Sequence, residues 1–109
     1  MQSLDALTAF GALSQETRLD TFRLLVRHEP EGLPAGELAR ELEVPANTLS
    51  THLGILARAG LVTSERRGRI IQYRADIARL RELMVFLARD CCGGRSELCE
   101  PLVAELACC

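Results

Sequence analysis

Two sets of side chains in this 109-residue sequence have chemistry beyond what folding needs. All five cysteines (Cys91, Cys92, Cys99, Cys108 and Cys109) fall in the last nineteen residues. Thiolates are soft, nucleophilic donors, so cysteines clustered in this way point to a thiophilic ion or to redox exchange. Disulfides that staple a fold join distant segments, whereas these five can only tie the tail to itself or to another chain. The second set is arginine. All thirteen basic residues are Arg, and there is no Lys, which excludes lysine Schiff-base and P-loop chemistry.

The arginines are unevenly distributed, and the formal net charge of −2 hides this. Residues 1–43 hold four Arg against eight acids (net −4), and residues 82–109 hold two Arg against five acids (net −3). Residues 44–81 hold seven Arg against only Glu65 and Asp76, a net of +5. A basic block between acidic flanks favours a polyanion on one face and discourages indiscriminate binding elsewhere.

The elements that position these groups follow from periodicity. The chain has the length of one domain. Leu4, Leu7 and Phe10 mark a short amphipathic helix. Ser14 reads as the N-cap of a second helix, with Glu16 in its first turn and Leu19, Phe22, Leu25 and Val26 as its buried face. Pro34 suits the first turn of a third helix carrying Leu38 and Leu42. Pro45 opens a fourth, with Leu49, Leu53 and Leu56 on one side and Gly60 as its stop. The period then changes. Leu61 to Glu65 and Ile70 to Ala75 are β-prone and flank a basic, Gly-containing tip, Arg66-Arg67-Gly68-Arg69. Asp76 caps a last helix with the stripe Leu80, Leu83, Met84 and Leu87, and Gly93-Gly94 ends it. Residues 96–107 have helical character interrupted by Pro101. Four helices, a hairpin and a helix make a mainly α winged helix-turn-helix with a small β-hairpin.

Helices three and four meet across Glu43-Val44-Pro45, a connection of helix-turn-helix length. The polar face of helix four carries Asn47, Ser50, Thr51, Gly54 and Arg58, with His52 beside them. Short polar side chains let a helix enter a major groove, where Asn, Ser and Thr reach base edges. His52 is placed to donate to a phosphate or a base. Arg66, Arg67 and Arg69 at a hairpin tip suit forked contacts with phosphate oxygens. The expected partner is therefore double-stranded DNA.

Four stretches carry a resemblance: Leu13-Ser14-Gln15-Glu16-Thr17-Arg18-Leu19, Gly36-Glu37-Leu38-Ala39, Thr48-Leu49-Ser50-Thr51-His52-Leu53 and Ala59-Gly60-Leu61-Val62. Together they resemble the ArsR/SmtB family of metal-responsive repressors over residues 5–90. The resemblance implies a homodimer paired through its first and last helices, bound to a partly palindromic operator until a metal ion releases it. It places the base-contacting positions on Asn47, Ser50, Thr51 and His52. The stripes at Leu4 and Leu7 and at Leu80, Leu83, Met84 and Leu87 would serve such pairing or a monomer core equally well.

Members of that family hold inducers in different places. Some arsenic-responsive members carry cysteines in helix three, and Glu37 to Val44 has none. Zinc-type members carry Asp and His pairs along the last helix; Asp76 is present here, but Ala78 and Arg89 stand at the matching positions. The only histidines, His28 and His52, fall on different helices. That leaves the tail. As(III) takes three sulfurs, which Cys91, Cys92 and Cys99 supply, whereas zinc usually takes four ligands. On one unbroken helix Cys92 and Cys99 would stand about 10 Å apart, and Gly93-Gly94 permits the chain to turn back. The set resembles the C-terminal trivalent-arsenic site of some arsenical repressors, with antimony undistinguished. Cys108 and Cys109 are either a second two-thiolate site, suited to an organoarsenical, or a frayed end.

The sequence thus divides into a DNA-binding and dimerisation domain, residues 1–92, and a cysteine-containing tail, residues 93–109. No cofactor is expected for DNA binding; As(III), Sb(III) or an organoarsenical is the expected inducer. The rival signal is thiol oxidation, against which Asp90, Glu97 and Glu100 count because they disfavour thiolates. A thiol enzyme such as an arsenate reductase would need an anion-cradling loop, and only Arg89 and Arg95 are near. Met1 to Phe10 lacks the basic region of a signal peptide and no apolar run approaches a membrane span, so the cytoplasm is the expected compartment.

Overall fold

The computed structural model describes the backbone of residues 1–88 and 96–107 and the side chains of residues 1–88 and 100–106. The order is α1 (Ser3–Leu13), α2 (Glu16–Arg27), β1 (Leu33–Pro34), α3 (Ala35–Leu42), α4 (Ala46–Arg58), β2 (Val62–Arg67), β3 (Ile70–Ala75), α5 (Ile77–Ala88) and α6 (Ser96–Ala107). It is the winged helix-turn-helix that the periodicities imply, with one strand more.

The core is a leucine cluster at the crossing of α2, α3 and α4. Leu25, Leu38, Leu49, Leu53, Leu56 and Leu61 are fully buried, with Phe22, Val62 and Leu83 around them. Leu49, Leu53 and Leu56 recur at i, i+4 and i+7, so one stripe of α4 faces inward and its polar stripe faces out.

Helix α1 buries a different face from the one expected. Ala6, Ala9 and Ala12 are in the core, while Leu4 is 75% exposed, Leu7 67% and Phe10 37%. The two triplets have the same spacing but are offset by two residues, which on a helix of about 100° per residue places them on opposite sides. Small alanines let α1 approach α2 and α4 closely, and the large side chains are left outside. Leu19 on α2, expected in the core, is likewise exposed, and Leu24 takes its place. On α5 only Leu83 is buried; Met84, Val85, Phe86 and Leu87 are exposed.

The caps also shift. Ser14 is not the N-cap of α2. It closes α1, its hydroxyl donating to the Gly11 carbonyl at 3.0 Å. Gln15 caps α2, its Oε1 accepting from the Arg18 amide at 2.9 Å. Pro34 and Pro45 stand one residue ahead of α3 and α4, at the N-cap positions. Between these helices Glu43 takes the left-handed conformation (φ 54°), and the Val44 amide returns to the Ala39 carbonyl at 3.1 Å. Helix α4 ends at Gly60 (φ 78°), with the Leu61 amide donating to Leu56 and the Gly60 amide to Ala57, each at 3.0 Å. This is a Schellman closure, which needs a left-handed residue at that point. Asp76 caps α5 as expected, accepting from the Arg79 amide at 3.0 Å. Helix α6 runs through Pro101 rather than breaking there.

The sheet is three-stranded, in the order β1-β3-β2, all antiparallel. Strand β1 is two residues long, Leu33 opposite Tyr73 and Pro34 opposite Gln72. Two residues carry no alternation to read, and Pro34, which lacks an amide donor, is tolerable only on an edge.

Candidate nucleic-acid interface

The polar stripe of α4 and the β2–β3 hairpin are the two surfaces that the basic block builds. Asn47, Ser50, Thr51 and Arg58 are exposed on α4, opposite the buried leucines. The Thr51 hydroxyl donates to the Asn47 carbonyl at 3.3 Å, so its lone pairs remain to accept. The Arg58 guanidinium runs back over Gly54, where a Cβ would stand 3.5 Å from it. His52 is half-buried, and its Nδ1 faces the Arg18 guanidinium at 3.3 Å. One of its two nitrogens is therefore occupied within the fold.

In the hairpin, Arg67 pairs with Ile70 across a two-residue loop, Gly68-Arg69. Gly68 has φ 66° and Arg69 does not share a positive φ, the pattern of a type II′ turn with glycine first. That turn matches the twist of the strands and projects the tip. Arg66 Nε donates to the Gly68 carbonyl at 3.1 Å, and Arg67 lies 3.4 Å from Glu65. Arg69 makes no hydrogen bond or ion pair among the described residues. It borders an open groove of about 470 Å³ between the hairpin and α3, lined also by Gly36, Arg40, Ile70 and Ile71.

Two other arginines of the basic block are committed to the fold. Arg74 makes a forked contact with Glu29 at 2.8 and 3.2 Å, which pins β3 to the segment after α2. The hydrogen bonds that Arg74 donates to Glu29, and then the Glu29 charge, hold its guanidinium above its ordinary pKa. Arg79 lies 4.0 Å from Asp5 and 3.6 Å from Glu82, joining α1 to α5. The charge left over for a polyanion thus sits on Arg58, Arg66 and Arg69, with Arg67 partly offset by Glu65, and on Arg81, which is exposed on α5. All but Arg81 lie on α4 and the hairpin.

Arg18 is the site residue that sequence reasoning missed. Its Nε donates to the Ala12 carbonyl at 2.5 Å and its Nη1 reaches His52. The partners are 34 residues apart in the chain, so no local spacing signals the contact.

Among the described residues, no group of three or more His, Cys, Asp and Glu side chains could hold a metal ion. Cys91, Cys92, Cys108 and Cys109 lie outside the described residues, as does the side chain of Cys99, whose backbone belongs to α6. Among the described residues no helix is long and apolar enough to cross a membrane.

Comparison with known proteins agrees with this geometry. Residues 13–65 match the family described as "Helix-turn-helix domain". The transcriptional activator HlyU of Vibrio cholerae is 30% identical over 90 residues, covering 83% of this chain and 81% of that protein. Among solved structures, an ArsR-like transcriptional regulator from Rhodococcus sp. RHA1 superposes with a TM-score of 0.73 at 34% identity, covering 93% of this chain and 89% of that one. A homodimeric winged helix-turn-helix DNA-binding domain from Mycobacterium bovis, described as a possible ArsR-family regulator, gives 0.63 at 27% identity over 79% of this chain and 80% of that one. A helix-turn-helix match beneath the α4 stripe, a basic hairpin beside it, and close likeness to these regulators place this chain in the ArsR-like family of winged-helix transcriptional regulators.

Proposed function

We propose that the chain is a homodimeric repressor that binds a partly palindromic operator and is released when trivalent arsenic or antimony occupies Cys91, Cys92 and Cys99. The observation that carries the DNA reading is the juxtaposition of an exposed polar stripe on α4 with unpaired arginines on the adjoining hairpin. In a dimer the two α4 helices would enter successive major grooves about 34 Å apart. Asn47, Ser50, Thr51 and His52 face the bases; Arg58, Arg66, Arg67 and Arg69 face phosphates. The exposed leucines of α1 and the apolar face of α5 supply the pairing surface. Residues 1–92 bind DNA, pair and end on two of the three sensing thiols; the tail, residues 93–109, brings the third.

The arsenic reading rests on donor chemistry. Three thiols follow closely on α5, a helix of the pairing surface, and three soft donors with no imidazole suit a trivalent arsenical better than zinc. Occupying them would constrain the chain at the end of α5 and reorient the two DNA-binding heads. A coupling of about 1–3 kcal/mol, or roughly 5–150-fold in affinity, is enough. Cys108 and Cys109 are either a second two-thiolate site for organoarsenicals or a frayed end, which their serine variants distinguish. A second reading replaces the arsenical by thiol oxidation; it is favoured by the likeness to HlyU, one of whose structures is described as reduced, at 30% identity and a TM-score of 0.64.

Fluorescence anisotropy on a duplex selected by the protein from a random pool tests both. Arsenite should release the wild-type protein. Cys91→Ser, Cys92→Ser and Cys99→Ser should each abolish that release with binding retained. Release by peroxide but not by arsenite would sink the arsenical reading, and loss of response in Cys108→Ser or Cys109→Ser alone would move the site. Repression rather than activation is read from a promoter fusion.

The arginine and serine roles separate by salt and sequence. Arg69→Ala should weaken selected and random duplexes alike and flatten the salt dependence by about one unit of log–log slope per phosphate lost. Arg67→Ala should do the same to a smaller extent, because Glu65 already offsets its charge. Ser50→Ala should instead narrow the gap between selected and random duplexes, with the slope unchanged.

A further inference from the structure

The contact between Arg18 and His52 fixes more than packing. A guanidinium carries donors only, so the His52 Nδ1 that faces it at 3.3 Å must be the accepting nitrogen. In a neutral imidazole the proton then resides on Nε2, and that N–H is the donor left over. The same guanidinium donates its Nε to the carbonyl of Ala12, in the last turn of α1, where helix carbonyls lack intrahelical partners and a cation is favoured. The Gln15 side chain, by accepting from the Arg18 amide, holds the start of α2 and hence the root of this side chain. Arg18 is therefore clamped at both ends before it meets α4.

We infer that Arg18 is a positioning residue for DNA recognition: it holds His52 in the Nε2–H tautomer, presenting one defined donor from α4. This rests on the reading of α4 as the DNA-facing helix and deepens it. An imidazole free to exchange tautomers would offer a donor or an acceptor at the same position and discriminate poorly between base edges or phosphate oxygens. A locked one rejects a donor on the DNA. The lock also keys the recognition helix to α1, the helix whose opposite side carries the exposed Leu4 and Leu7.

The test combines a spectroscopic signature with a pair of isosteric variants. In the free wild-type protein, two-bond 15N–1H correlation spectra above pH 8 should show His52 almost wholly as the Nε2–H form. Arg18→Met, which keeps the aliphatic stem, should convert it to a mixture. On the duplex the protein selects from a random pool, Arg18→Met should lose about five- to tenfold in affinity, and on a random duplex less than twofold. His52→Gln retains an amide donor near the Nε2 position and should stay within about threefold of wild type on the selected duplex. His52→Asn retains only the inner acceptor and should lose about tenfold. In the His52→Gln background, Arg18→Met should change the selected-duplex affinity by less than twofold. A tautomer unaffected by Arg18→Met, or His52→Asn binding better than His52→Gln, overturns the inference. Should Arg18→Met fail to fold, the wild-type tautomer and the ranking of the two His52 variants decide together: an Nδ1–H form, or His52→Asn binding better, overturns the inference. A wild-type protein that enriches no duplex overturns the DNA reading itself, whereas enrichment with the wrong ranking overturns only the role of Arg18.

Discussion

Glutamate at both Leu7 and Leu87 is expected to convert a dimer of about 24 kDa, two chains of 12.0 kDa, into a folded monomer, and to lower duplex affinity by about a hundredfold or more. Leu7 is 67% and Leu87 66% exposed, so neither contributes much to the core of one chain. Exposed leucines of this size are stabilised by about 1–2 kcal/mol each when an apolar partner covers them. Phe10, Met84, Val85 and Phe86 are also exposed on α1 and α5, and these two helices contact one another. Four carboxylates in a two-fold apolar interface would carry a desolvation cost that pairing cannot offset. Duplex affinity falls because the second head no longer binds at the effective concentration set by the first, a factor of roughly 10²–10⁴. Light scattering gives the mass, anisotropy the affinity, and thermal unfolding checks that the domain persists. A dimer that survives both substitutions would place the pairing surface elsewhere, with the exposed Leu102, Val103 and Leu106 of α6 as the next face to test.

What the sequence could and could not convey follows the range of the interactions. Periodicity located α1 to α5 and the hairpin, because each is declared by residues within two turns or two strands. It also separated the two faces of α4, since Leu49, Leu53 and Leu56 mark the inside and leave Asn47, Ser50 and Thr51 outside. The inward face of α1 is not the one that hydrophobicity marks, because hydrophobicity ranks leucine above alanine, whereas close helix approach selects the smaller side chain. Ser14 and Gln15 are adjacent and both able to cap; which one does so depends on where α1 stops, and the Ser14 hydroxyl is already used there. Strand β1 could not be read because its existence depends on β3, nearly forty residues later. The same distance hides the division of the arginines. Charge counting finds a basic block, but only the fold shows that Arg74 is committed to Glu29 and Arg79 to Asp5, while Arg69 is left over. The pairing of Arg18 with His52 belongs to this class. The thiol set, by contrast, is visible only as composition and spacing.

Gly32→Ala is expected to destabilise the domain by about 3–5 kcal/mol, a large share of the roughly 5–15 kcal/mol typical of a domain. Two independent causes add. Gly32 has φ 75°, in the left-handed region where a Cβ costs about 1–2 kcal/mol. A Cβ built there also stands 2.2 Å from the backbone carbonyl oxygen of Tyr73. That oxygen belongs to β3 opposite Leu33, so it can withdraw only by breaking the β1–β3 pairing, which with Arg74 and Glu29 anchors the hairpin to the helical body. Gly68 is the control. Its φ is 66°, yet a Cβ there meets nothing within 4 Å, so Gly68→Ala should cost only the conformational part, about 1 kcal/mol, and confine its effect to the hairpin tip. Gly60 falls between them, since its Cβ would stand 3.0 Å from the flexible Arg79 side chain. Thermal unfolding should therefore place Gly32→Ala about 15–30 °C below wild type, with Gly60→Ala intermediate and Gly68→Ala within about 10 °C. Gly32→Ala within about 1 kcal/mol of wild type would mean that the β1–β3 register yields without cost, and that the hairpin is held by the Arg74–Glu29 contact rather than by the sheet.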